Sequence, residues 1–278
     1  MSLDLDRRQR AMLQEMGVRV WWPEAVPEPV ATAASAAVPA ASRAATVRIP
    51  LPPPAQKTDP EQVATPAGDI AGMDWPTLAE TIARCQSCQQ GVGRRSPVFA
   101  LAAAARQADW LLVGEPPDDN EERLGQPIAG QAGQLLDNML KAVGARRGGL
   151  AGNAAPVSEG TAAAYVTNVV KCRPATARNP EPSDLAACEH YLRREVALVQ
   201  PKVILALGRF AAQALLQGSV PEVAGIPLGK LRGQVYRYQD IPVIVSYHPA
   251  YLLRSPQEKA RAWLDWCLAL QLVAGQGK

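Results

Sequence analysis

A three-layer α/β/α sandwich around a short, mostly parallel central sheet is the fold class that this sequence predicts. Three observations predict it. Four short apolar runs rich in β-branched residues, "DWLLVG" (109–114), "AYVTNVV" (164–170), "KVILALG" (202–208) and "IPVIVSYH" (241–248), have the character of strands buried on both faces. Helical periodicities lie between and after them, at 131–143, 184–199, 209–216 and 256–273. Strand and helix therefore alternate, which is the order that builds a parallel sheet covered on both sides. In such a sheet the functional groups gather at the C-terminal ends of the strands.

The elements account for only part of the chain. With 278 residues, 47% of them hydrophobic, the sequence has room for one domain of about 200 residues plus extensions. That domain is expected over residues 71–278. Residues 24–70 are rich in Ala and Pro and almost lack large apolar side chains, so burial cannot offset the entropy of ordering them. They read as a disordered linker that proline stiffens. Residues 1–23 differ again: Met12, Leu13 and Met16 fall at helical spacing, and Val18, Val20, Trp21 and Trp22 follow Gly17. A short helix with an extended tail fits that pattern. The stretch 144–163 reads as an inserted flexible loop.

Charge and hydropathy bound the partners. A net charge of +3 permits a nucleic-acid partner without requiring one. The charged start "MSLDLDRRQR" does not read as a signal peptide, and no apolar run approaches the ~20 residues that span a bilayer. A soluble cytoplasmic protein with no membrane partner is the expectation.

The candidate site residues sit where the strands end. Glu115 follows the first strand, Asn168 ends the second beside Thr167, and His248 follows the last in "SYHPAYLLR". Singly, each has a plain reading as a solvated acid, a turn amide or a strand cap; together, the fold rule brings them to one edge. The first strand also runs into "VGEPPDDNEERLGQPIAG" (113–130), with four acids between Asp118 and Glu122, the outline of an active-site loop. A second constellation is built of cysteine: Cys85 and Cys88 in "CQSC", Cys172 in "VVKCRPATARNP" and Cys188 in "SDLAACEHYL". Four soft thiolates without an export signal suit an iron–sulfur cluster or tetrahedral zinc, and their spacing leaves both open.

From Cys85 to Trp266 the chain resembles the iron–sulfur (family 4) branch of the uracil-DNA glycosylase superfamily. The likeness runs collinearly through the loop at 113–130, "AYVTNVVKCRP", "CEHYL", "PKVILALGRFAAQALL", "LRG" and "VSYHPAYLLRSPQEKARAW". The resemblance implies the α/β sandwich again, a DNA substrate, and a [4Fe-4S] cluster on Cys85, Cys88, Cys172 and Cys188. It implies that Asn168 reads the edge of a flipped uracil. It further implies that His248 donates to the developing oxyanion, and that Glu115 positions water or stabilises the cationic sugar. Three positions depart from the family's pattern, the first being Pro116 in place of an Ala. Asp118 stands where the family has a small Gly, and its carboxylate is expected to face the base. Ile128 replaces the aromatic that stacks on the base, forfeiting about 1–3 kcal/mol.

The segment "RRQRAMLQEMGVRVWWP" in turn resembles the N-terminal peptide of the psi subunit of bacterial DNA polymerase III. That likeness implies docking through residues 5–23 onto the chi and clamp-loader subunits, with the Trp rings as anchors. Two functional readings follow. In the first, a psi-like accessory subunit in DNA replication carries a glycosylase-derived domain whose pocket is compromised; Asp118, Ile128 and the peptide favour it. In the second, a working uracil-DNA glycosylase for base-excision repair is tethered to the replisome; Asn168 and His248 favour it.

Overall fold

The computed structural model describes residues 70–88, 90–91, 94–99, 107–148, 162–173 and 179–275. The expected docking peptide at 1–23 and the linker up to residue 69 lie outside the described residues.

The first described element is a single 3-10 turn at Ile70–Gly72 that leads into helix α1, Trp75–Arg84. The start of α1 is written in "DWP": Asp74 accepts from the Thr77 amide as N-cap, and Pro76 sits in the first turn, where its missing N–H costs nothing. Strand β1, Trp110–Gly114, follows, then helices α2, Asp119–Leu124, and α3, Gly130–Ala142. Strands β2, Ala145–Arg147, and β3, Ala162–Asn168, precede the long helix α4, Pro182–Val199. Then come β4, Val203–Leu207; α5, Arg209–Leu216; a short α6, Leu228–Leu231; β5, Val235–Tyr238; β6, Ile241–Ser246; α7, Pro249–Arg254; and α8, Lys259–Gly275.

Among the described residues six strands form one sheet in the order β2-β3-β1-β4-β6-β5, parallel throughout except for the edge strand β5. Alternation along the strands sorts the core into two layers. Leu111, Val113, Ile204, Ala206, Val243 and Val245 pack on one face with α1, α4 and α5. Trp110, Leu112, Val203, Leu205 and Ile244 pack on the other with α3 and α8, where Trp110 stacks on Trp266 at 6.0 Å between ring centroids. The three-layer sandwich read from the sequence is therefore the fold. No helix among the described residues is long and apolar enough to cross a membrane.

One expectation needs correction. The stretch 144–163, read as a loop, supplies strand β2 and the first residues of β3, which pair in parallel from Ala145↔Ala162 to Arg147↔Ala164. Three residues with one buried position give no periodicity to recognise.

Candidate active site

The central strands set the stage. Gly114 at the end of β1 is the register partner of Asn168 at the end of β3, and on the other side Leu207 of β4 pairs with Ser246 of β6. His248 follows β6 and caps α7. The three positions picked from the sequence thus share the C-terminal edge.

His248 is held by its backbone neighbourhood. Its Nδ1 accepts from the Ala250 amide at 3.3 Å, which assigns the ring proton to Nε2 in the neutral imidazole. Nε2 is enclosed and has no partner. Burial holds the ring's pKa down near 4, so near neutral pH the ring is an uncharged donor. Gly114 makes space beside it: a Cβ there would lie 3.4 Å from His248 Nε2 and 3.2 Å from the Ile128 side chain.

Asn168 is 1% exposed. Its Nδ2 donates to the Glu115 carbonyl at 2.7 Å and to Glu121 Oε1 at 3.1 Å, while its Oδ1 is buried with no partner. The edge therefore carries two sealed, unsatisfied polar atoms: a donor at His248 and an acceptor at Asn168. Buried polar atoms left unpaired cost about 1–3 kcal/mol each, so both atoms gain from pairing with a bound group.

Glu115 is committed elsewhere. Its carboxylate accepts from the Phe210 amide at 2.9 Å, at the N-terminus of α5. Burial raises its pKa to about 7 against that favourable contact. Gly208, at φ +109°, makes the approach possible, since a Cβ there would stand 2.1 Å from Glu115 Oε1. The side chain fastens the end of β1 to the end of β4.

Asp118, expected to face a bound base, instead starts a helix. It is the exposed N-cap of α2: its Oδ1 accepts from the Glu121 amide at 2.8 Å, and Glu121 Oε2 accepts in return from the Asp118 amide at 2.7 Å. This is a reciprocal capping box, whose D-x-x-E spacing is legible in "DDNE". The Asp118 charge still reaches His248, where it favours the protonated ring.

Ile128 is 1% exposed and lies at φ +48°, a conformation that a β-branched residue rarely adopts. Its amide donates a short hydrogen bond to Glu121 Oε1, and its carbonyl accepts from Arg147 at 3.0 Å. Glu121 thus gathers the Asp118 and Ile128 amides and the Asn168 side chain, a role that the sequence alone did not reveal.

Below Asn168 lies a closed polar network. The Lys171 ammonium, 1% exposed, donates to Glu195 Oε2 at 2.5 Å, Thr167 Oγ1 at 2.7 Å and the Asn168 carbonyl at 2.9 Å. Glu195 Oε1 accepts from the Tyr165 hydroxyl at 2.8 Å and from Thr167 at 2.9 Å. Every donor of the ammonium is used, which is the condition under which a buried ion pair is tolerated.

The four cysteines come together from the end of α1, the turn after β3, and α4. Cys172 and Cys188 are buried, Cys85 and Cys88 partly so. The charges of Cys85 and Cys88 act on Cys172, and those of Cys88 and Cys172 act on Cys188. Arg94 donates to Cys172 Sγ at 2.8 Å. Burial pushes the Cys188 thiol up to about 12, a penalty that bonding to a metal would remove. Yet no three Cys, His, Asp or Glu side chains among the described residues converge on a point where a single ion would sit. Four thiol sulfurs are the donor set of an iron–sulfur cluster and of tetrahedral zinc alike.

With the geometry fixed, sequence comparison decides the family. Residues 102–269 match the uracil DNA glycosylase superfamily. The chain belongs to that superfamily. A type-4 uracil-DNA glycosylase of Pyrobaculum aerophilum is 34% identical over 187 residues, covering 66% of this chain and 87% of that protein. Those of Archaeoglobus fulgidus and Thermotoga maritima are each 32% identical, covering 83% and 85% of their own lengths. The glycosylase match begins well after residues 5–23, so the psi-like docking peptide has support from neither the described residues nor the superfamily match.

Proposed function

We propose that this chain hydrolyses the N-glycosidic bond of uracil in DNA, acting on a base flipped out of the strand. The observation that carries this reading is the pair of sealed, unpartnered atoms on one edge of the sheet, Asn168 Oδ1 at the end of β3 and His248 Nε2 just past β6. Uracil supplies the complements: an N3–H for the Asn168 acceptor, and a carbonyl oxygen that becomes anionic as the base leaves. His248, neutral and fixed by the Ala250 amide, would donate Nε2–H to that oxygen. A donor already aimed where charge develops, in a site closed to water, is the arrangement that lowers such barriers most. Asn168 is held by Glu121 and the Glu115 carbonyl, so its acceptor is set before the base arrives.

The neighbours refine the roles. Glu115, bound to the start of α5, acts by joining two strand ends, and its charge, when ionised, lies near the edge where a cationic sugar would form. Ile128 offers an aliphatic wall in place of a stacking ring. Asp118, exposed and occupied in capping, need not oppose the leaving anion. This favours a working enzyme over a compromised one.

Cys85, Cys88, Cys172 and Cys188 would hold a [4Fe-4S] cluster, which when bound serves as a cross-link among α1, the turn after β3 and α4. The hydrolysis itself needs no electron transfer.

The test is release of free uracil from single- and double-stranded oligonucleotides, read as alkali-labile sites. Wild type should cut at uracil and not at thymine, and His248→Asn and Asn168→Ala should each lower kcat/KM on the order of a hundredfold or more. Absence of uracil release by an iron-replete wild type would refute the reading.

A further inference from the structure

Arg147 belongs to a stretch with no recognisable signal, yet its guanidinium is fastened to the turn that carries Ile128. The side chain is only 14% exposed. It donates to the Pro127 carbonyl at 3.0 Å, the Ile128 carbonyl at 3.0 Å and the Gly133 carbonyl at 3.1 Å, and its Nε pairs with Asp137 at 2.6 Å. Asp137 is 58% exposed, so the ion pair alone contributes little. The weight lies on the three carbonyls, which converge on one planar fork of fixed donors. A lysine ammonium cannot reproduce that geometry.

What those carbonyls belong to gives the contact its meaning. Ile128 sits at φ +48°, and a β-branched residue stays there only when its surroundings over-determine it. Here both sides of the residue are fastened, the amide by Glu121 and the carbonyl by Arg147. Gly133 is cut to receive the turn, since a Cβ there would stand 2.5 Å from the Ile128 carbonyl oxygen. The result is an Ile128 side chain in contact distance of Gly114, beside His248 Nε2.

We propose that Arg147 is a positioning residue of the base pocket: together with Glu121 it locks Ile128 in a left-handed conformation and so sets the wall against which an entering base is aligned. Arg147 rises from β2, the neighbour of β3, which carries Asn168. The clamp thus ties the wall to the same sheet edge that presents the two recognition atoms. The inference rests on the glycosylase reading for its catalytic consequence, but not for the clamp itself.

Two measurements on the iron-replete full chain separate the parts. In hydrogen–deuterium exchange, Arg147→Met should speed exchange in the segment 125–133 while the strands stay protected. Arg147→Lys should resemble Met, because charge without the fork does not fasten the turn. In kinetics, Arg147→Met should lower kcat/KM for uracil release on the order of tenfold to a hundredfold, the scale of a misplaced site wall. In an Ile128→Gly background, where the left-handed conformation is free and no side chain remains to seat, the same substitution should change kcat/KM by no more than about twofold, the usual error of additivity. An equal loss in both backgrounds, or unchanged exchange at 125–133, overturns the proposal. If Arg147→Met does not fold, Arg147→Lys carries both measurements. If wild type releases no uracil, the glycosylase reading fails and exchange alone decides the clamp.

Discussion

Glu115 and His248 hide each other in a stability profile, and unmasking them tests the electrostatics of the site. Glu115 is held near 7 against an ordinary 4.5, and His248 near 4 against an ordinary 6.5, both through burial. Between pH 4.5 and 6.5 the folded chain keeps a proton on Glu115 and none on His248; the unfolded chain does the reverse. The proton counts match, so the pair contributes almost no pH dependence there. Removing one partner exposes the other. For His248 the folded value is depressed, so its penalty is absent above 6.5 and grows as pH falls towards 4. His248→Asn, which retains an N-cap acceptor, should therefore gain on wild type as pH falls through that window. For Glu115 the folded value is raised, so its penalty is absent below 4.5 and grows as pH rises to 7. Glu115→Gln should therefore gain on wild type as pH rises. At about 1.4 kcal/mol per pH unit, each swing is at most about 3 kcal/mol. For a domain of this size that is about 6–12 °C in Tm. Differential scanning fluorimetry of the three proteins from pH 4 to 7.5, read as variant minus wild type at each pH, cancels every other titrating group. Two flat difference curves, or two that slope the same way, would refute the assigned burial of these side chains.

Other perturbations follow from the same contacts. Lys171→Met should cost about 3–5 kcal/mol in a urea titration by stranding the Glu195 carboxylate, and Glu195→Gln in the same chain should recover much of it. Purified without oxygen, the protein should be brown and bind about four irons, with Cys188→Ser losing both iron and solubility; a colourless protein holding one zinc would overturn the cluster.

The strands and the long helices were legible because burial on both faces of a parallel sheet leaves continuous apolar runs, and because α4 and α8 are long stretches with no Pro beyond the first turn. The placement of Asn168 and His248 on one sheet edge was legible for a related reason: one ends a recognisable strand and the other lies just past one. Helix α1 went unassigned although "DWP" announces its start. Strands β2 and β5 left less to find, being short edge strands with exposed, charged alternation. What could not be read was the support of the site. Lys171 meets Glu195 across 24 positions and Arg147 meets Pro127 across 20. Only tertiary structure sets such pairs, and a buried arginine looks the same in sequence as a solvated one.

Asp118 sets a local bond against a plausible electrostatic argument. A carboxylate in a base pocket should oppose a leaving anion, and from the sequence it was expected to do so. But an Asp three residues ahead of a Glu has a nearer partner in the unpaired amides of the helix it begins, and the 2.8 Å bond to the Glu121 amide turns it out to solvent. Asp118→Ser distinguishes the two accounts, because it preserves the cap and deletes the charge. If capping is its role, Tm should hold to within a degree or two, since Ser and Asp cap about equally well. Uracil release should stay within about twofold, because an exposed charge acts on the pocket only through a screened field. Asp118→Ala, which loses the cap as well, should cost about 1 kcal/mol without raising activity. A large rise in uracil release by Asp118→Ser at unchanged Tm would mean that the carboxylate faces the base in the working enzyme, and that the capping box opens when DNA binds.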